Sequence, residues 1–128
     1  MTTHLLKCWP SLFRAMKDGH KKVDIRKWDR DFAVGDYLIQ MEFDAAERMV
    51  SGEVIVLQVT HILSGAFGLG EGYVAMSVTE LTTAEDTRVL QAFFDTKRVD
   101  DAVPFGNGEL MALTWLRGKL VEKGRLRP

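Results

Sequence analysis

Apolar and polar positions alternate along this chain with two different periods, and the change from one to the other falls near Leu81. Before it, apolar residues come in short alternating or β-branched runs separated by glycine-bearing and charged turns. His4 to Trp9 reads as a strand, and Pro10 suits a first helical position, where its missing N–H would have no intrahelical partner. Pro10 to Lys17 then sets Leu12, Phe13 and Met16 on one helical face, with Gly19 placed to end the helix in a left-handed conformation. Lys22 to Lys27, Tyr37 to Phe43, Glu53 to Leu63 and Gly72 to Leu81 follow as strands, that from Tyr37 carrying polar Gln40 and Glu42. Gly35, Ser51-Gly52 and the glycine-rich run from Gly65 to Gly72 mark turns between them.

After Leu81 the period becomes helical. Thr82-Thr83-Ala84-Glu85 matches a capping box, and Val89, Leu90, Phe93 and Phe94 recur on one face, so a helix is expected from Thr83 to about Lys97. Val99 to Gly106 reads as a loop with Pro104. Asn107 is set to cap a second helix from Gly108 to about Lys123, with Leu110, Leu113, Leu116 and Leu120 as its buried stripe and Met111 and Trp115 extending it. Mostly non-local strands with one early helix suit an α+β fold built on a small mixed barrel, since a parallel sheet would need a helix at each crossover. The expected division is a barrel over residues 1–81 and a helical extension over residues 82–128 packed on it, the two forming one compact domain. The helical pair either completes the barrel's core or presents a partner surface.

Composition adds one asymmetry. The chain has 128 residues and a net charge of −1, which describes an ordinary globular domain. Residues 1–30, however, hold eight Lys or Arg against three Asp, a balance of +5, while residues 31–63 hold one Arg against six acidic residues, a balance of −5. Either the two segments neutralise each other on folding, or the first forms a basic patch that a polyanion would feel. A single cysteine, Cys8, rules out an intramolecular disulfide and suits a reducing cytoplasm. No stretch approaches the roughly 20 apolar residues of a membrane helix.

The stretch from Asp18 to Ile39 carries the candidate chemistry. If Val23 and Ile25 point into a core, period-two alternation puts Lys22, Asp24 and Arg26 together on the other face. One carboxylate between two cations is either a solvated strand face or a site for an anion or polar heterocycle. Trp28, flanked by Lys27 and Arg30, offers a plane for a base to stack on. His4, His20, His61 and Cys8 lack metal-ligand spacing, so no metal and no cofactor are expected. The glycine-rich run lacks the following helix of a phosphate-binding loop. It reads as a hairpin loop or as a flexible rim with Glu71 at its tip. No Ser-His-Asp or Cys-His arrangement stands out.

The run Gly19-His20-Lys21-Lys22-Val23-Asp24-Ile25-Arg26, followed by Val34-Gly35-Asp36 and an apolar strand, resembles the signature of the ASCH domain, a small β-barrel of the PUA-like superfamily. His4 to Pro10, Asp29-Arg30-Asp31-Phe32 and Gly72-Tyr73-Val74 further resemble a branch of small bacterial and phage proteins catalogued as a domain of unknown function. The resemblance covers about the first two thirds of the chain. It implies a PUA-like, ASCH-type barrel in the cytoplasm of a bacterium or of a phage-infected cell. It also implies RNA or a modified nucleobase as ligand; the basic, aromatic-bearing face read from the residues, with Lys21, Lys22, Asp24, Arg26, Lys27, Trp28 and Arg30, is the expected binding set.

Some ASCH proteins are amidohydrolases that deacetylate acetylated cytidine with a Lys, a Thr and a Glu. Lys21 matches that lysine, but Asp24 stands where the threonine would, and Glu71, with Glu42 next, is the candidate acid. A catalytic amine must be uncharged; Lys22 and Arg26 favour that form and Asp24 opposes it. The expected function is therefore RNA or nucleobase binding. A small hydrolase acting on an acylated nucleoside, with Lys21, Asp24 and Glu71 as its catalytic set, is one alternative, and a phage or host interaction module is another.

Overall fold

A computed structural model describes residues 1–65, 68–98, 100–106 and 108–128. Its elements run β1 (Thr3–Cys8), α1 (Pro10–Lys17), β2 (Val23–Lys27), β3 (Tyr37–Asp44), β4 (Met49–Ser64), β5 (Tyr73–Glu80), α2 (Thr83–Asp95), β6 (Ala102–Gly106), β7 (Glu109–Ala112) and α3 (Leu113–Glu122). Five strands form one curled sheet, a half-barrel in the order β1-β3-β4-β5-β2, with β1 and β3 parallel and the other pairs antiparallel. The fold is α+β with three helices. Among the described residues no helix is long and apolar enough to cross a membrane.

Period-two alternation gives the central strands an apolar residue on both faces, and two cores result. The inner face buries Leu6, Leu38, Leu57, Val59, Val74, Met76 and Val78 together with Met16 from α1 and Phe32. Leu5, Ile39, Met41, Phe43, Val54 and Val56 point the other way, against Val89, Leu90, Phe93 and Phe94 of α2 and Leu113, Leu116 and Leu120 of α3. Helix α1 begins with Pro10 at its first position after an extended Trp9, and Gly19 follows it at φ 79°, as the residue pattern implied. The capping box on α2 also forms: Glu85 N–H donates to Thr82 Oγ1 at 3.2 Å, and Thr82 N–H to Glu85 Oε1 at 3.3 Å.

Three expectations need correction. Strand β4 is sixteen residues long and begins at Met49, continuing through Ser51-Gly52 rather than after it. The segment expected as a loop and a long helix is a β6–β7 hairpin followed by the shorter α3. Val103 and Phe105 alternate into the outer core on either side of Pro104, so burial of a strand face overrides the breaker. Leu110 is 65 % exposed, so the buried stripe starts only at Leu113, whose N–H donates to the Asp101 carbonyl at 3.0 Å. Asn107, the expected cap, lies outside the described residues, as do Val99 and Ala66-Phe67 of the glycine-rich run. The third correction concerns β2.

Candidate functional site at the sheet seam

Strand β2 turns its charges inward. Its register with β5 pairs Asp24 with Met76 and Arg26 with Val74, both inner-face residues, so Val23 and Ile25 face out and are 38 % and 57 % exposed. This reverses the expected orientation. The physical reason is that β2 is an edge strand facing β1, the other edge, across a seam that no strand closes among the described residues, and its charges find partners there. Arg26 Nε donates to Asp24 Oδ2 at 2.7 Å, and Arg26 Nη2 donates to the Lys7 carbonyl of β1 at 2.9 Å. Asp24 is thereby only 4 % exposed yet paired, as a buried charge must be.

The end of α1 delivers Lys21 to the same place. Its N–H donates to the Ala15 carbonyl at 3.0 Å, its Nζ donates to the Val23 carbonyl, and Nζ lies 3.9 Å from Asp24 Oδ1. Cys8 of β1 also faces this centre. Burial first, then the Asp24 carboxylate, pushes its thiol up to about 11 against the opposing pull of Arg26 and Lys21. Cys8 is thus a protonated, inert thiol near neutral pH.

Around Asp24 and Arg26 opens a cleft of about 420 Å³, flanked by Trp9 and Tyr73, which are 59 % and 43 % exposed. Lys21 and Lys27 border it, and Leu12, Val23 and Ile25 supply apolar wall. Gly106 of β6 forms the last side; a β-carbon there would lie 3.3 Å from Lys7 Cγ and Cε and 3.8 Å from Arg26 Nη1, so glycine keeps that wall low. Lys7 reaches away to Glu109 Oε1 at 2.7 Å, and that hydrogen bond holds the Glu109 carboxyl below the ordinary range.

The structure therefore brings together Lys21, Asp24, Arg26 and Lys27 of the expected set. Lys22 borders a neighbouring hollow instead. Trp28 is exposed but does not line the cleft, its backbone N–H donating to the Gly72 carbonyl at 2.7 Å. Arg30 turns inward over the Phe32 ring, with Nη1 3.4 Å from the Leu5 carbonyl, and clasps β1 rather than bordering the cleft. Glu71 sits in the exposed turn before Tyr73 and does not line the cleft. Glu42 shares the inner face in register with Cys8, and its Oε2 lies 4.0 Å from Arg14 Nη2. Trp9 and Tyr73 were not singled out from sequence, although Trp9, an aromatic fixed at a strand-to-helix corner by Pro10, carried a readable signal. Among the described residues no cluster of His, Cys, Asp or Glu is suited to hold a metal ion.

Residues 3–78 match a family described as a domain of unknown function, DUF3850. The chain belongs to the DUF3850 family. No curated protein matches it. The DUF3850 segment runs from β1 into β5 and contains every described residue lining the cleft except Gly106. A larger hollow of about 720 Å³, between α2 and the stretch from Gly124 to Pro128, lies outside that segment. It contains no aromatic side chain, and two of its arginines are engaged, Arg125 with Asp86 at 2.7 Å and Arg127 with Asp95 at 3.5 Å.

Proposed function

We propose that this DUF3850 protein binds single-stranded RNA or a nucleobase in the seam cleft, on a barrel of the PUA-like, ASCH type. The observation that carries the reading is the inversion of β2: a charged pair is held inside while Val23 and Ile25 are left in solvent, an arrangement that core packing alone disfavours. The cleft it creates combines flat aromatic surface, three cations, Lys21, Arg26 and Lys27, against one carboxylate, and apolar wall. Aromatic planes beside a cationic groove suit bases and their phosphates. The PUA-like assignment rests on the residue resemblance from Gly19 to Arg26 together with the curled sheet. The hydrolase alternative has less support, because Glu71 does not line the cleft that holds Lys21 and Asp24.

The test is fluorescence anisotropy with a labelled single-stranded RNA octamer and its duplex. The single strand should bind more tightly, its affinity should fall with added salt, and Trp9→Ala should weaken it by about tenfold, since one stacked base contributes about 1–3 kcal/mol. Lys21→Arg should keep much of the affinity because the charge is retained. Turnover of acetylated cytidine by the wild type, abolished in Lys21→Arg, would select the hydrolase reading instead.

A further inference from the structure

Resting on that reading, we infer that the site takes at least two consecutive nucleotides, with Lys21 on the phosphate between them. The seam cleft is not isolated. On the other side of Lys21 lies a second hollow of about 350 Å³, and Lys21 borders both. Its floor is apolar, made of buried Met16, Leu57 and Val78, and its rim is polar, with Lys22, Thr79 and Glu80. An apolar floor accepts the face of a base, and a cationic rim suits the backbone beside it.

Lys21 is built for the position between them. Its ammonium is fixed by donation to the Val23 carbonyl, and at 3.9 Å the Asp24 carboxylate is too distant to take up a further N–H as a hydrogen bond. Protons remain on Nζ for a phosphate oxygen. Lys22, one residue on and exposed, adds charge at the second hollow, and the space beside Gly19 is open, since a β-carbon there would meet nothing within 4 Å. Two hollows, each with room for a base, and one shared cation between them match the base–phosphate–base repeat of an oligonucleotide.

Calorimetric titration with four probes tests this: cytidine, its 5′-monophosphate, the dinucleotide CpC, and CpC with a neutral methylphosphonate linkage. CpC should bind at least about tenfold more tightly than the monophosphate. Its log affinity should fall more steeply with log salt than that of cytidine, by a slope of about 0.7 for one phosphate contact. The neutral analogue should lose that extra slope and most of the gain. Thr79→Trp, on an exposed strand position, should fill the second hollow and bring CpC down to the affinity of the monophosphate. CpC binding no tighter than cytidine overturns the inference and leaves the nucleobase reading standing. No binding of any probe removes both.

Discussion

Arg26 on β2 donates Nη2–H to the main-chain carbonyl of Lys7 on β1 at 2.9 Å, so a side chain, not a ladder, joins the two edge strands of the half-barrel. Its Nε at the same time neutralises Asp24 at 2.7 Å. Fold closure and the candidate site thus rest on one guanidinium.

Replacing it should be costly. Arg26→Ala removes the hydrogen-bonded partner of buried Asp24, leaving it, among the described residues, only Lys21 Nζ at 3.9 Å, and a loss of about 3 kcal/mol is expected in denaturant unfolding. Arg30→Ala, whose weaker contact to the Leu5 carbonyl spans 3.4 Å, should cost no more than about 1 kcal/mol. Equal losses for the two would show that the seam is held elsewhere.

Truncation after Leu81 should abolish soluble folding. Ten residues of the outer core, from Val89 to Leu126, lie beyond that point and cover Leu5, Ile39, Met41, Phe43, Val54 and Val56. Exposing such a contiguous apolar face invites aggregation. A truncated chain with an unchanged melting temperature would contradict the packing described.

These elements also show what sequence reveals here. The presence of β1 to β5, of α1 with its proline start and glycine stop, and of the capped α2 follows from local period and end signals, because their apolar runs are set off by glycine, proline and capping residues. Parity along β2 was legible too, since Asp24 and Arg26 must share a face. Which face turns inward was not, because an inward Asp24 depends on Arg26 finding Lys7 of another strand across the seam. The β6–β7 hairpin stayed hidden because Pro104 and Gly106 interrupt the alternation of Val103 and Phe105 that only tertiary burial exposes. Glu71 could not be placed, since a glycine-rich turn fixes no direction for its side chain.

Cys8 should resist alkylation. With its thiol held up at about 11 by burial and by Asp24, iodoacetamide should modify it slowly at pH 8 in the folded protein and rapidly in denaturant. Between about 9, the ordinary thiol value, and about 11 the unfolded chain releases this proton while the folded chain keeps it, so stability falls as pH rises through that window. Subtracting the profile of Cys8→Ala isolates the contribution; identical profiles would contradict it.

Asp36 makes an acid-side counterpart. Burial works to raise its carboxyl, but hydrogen bonds from His4 Nε2 at 2.8 Å, Thr2 N–H at 3.1 Å and Ala33 N–H at 3.0 Å outweigh this and hold it below the ordinary range. Its contribution is present above the unfolded carboxyl value and is lost as pH falls through the lower folded value. Asp36→Asn should cost about 1–3 kcal/mol at neutral pH and flatten the acid limb of the stability curve. An unaltered acid limb would show that this pair does not set it.

The most direct measurement is a ¹⁵N chemical-shift titration of the full chain with a single-stranded RNA octamer at low salt. Binding in the seam predicts saturable shifts of the Trp9 indole and of the backbone amides of Lys21, Asp24, Ile25, Arg26 and Tyr73, with Arg88, Gln91 and Asp95 of the α2 hollow unmoved. Shifts confined to the α2 hollow, or no shifts at millimolar RNA, would contradict the account.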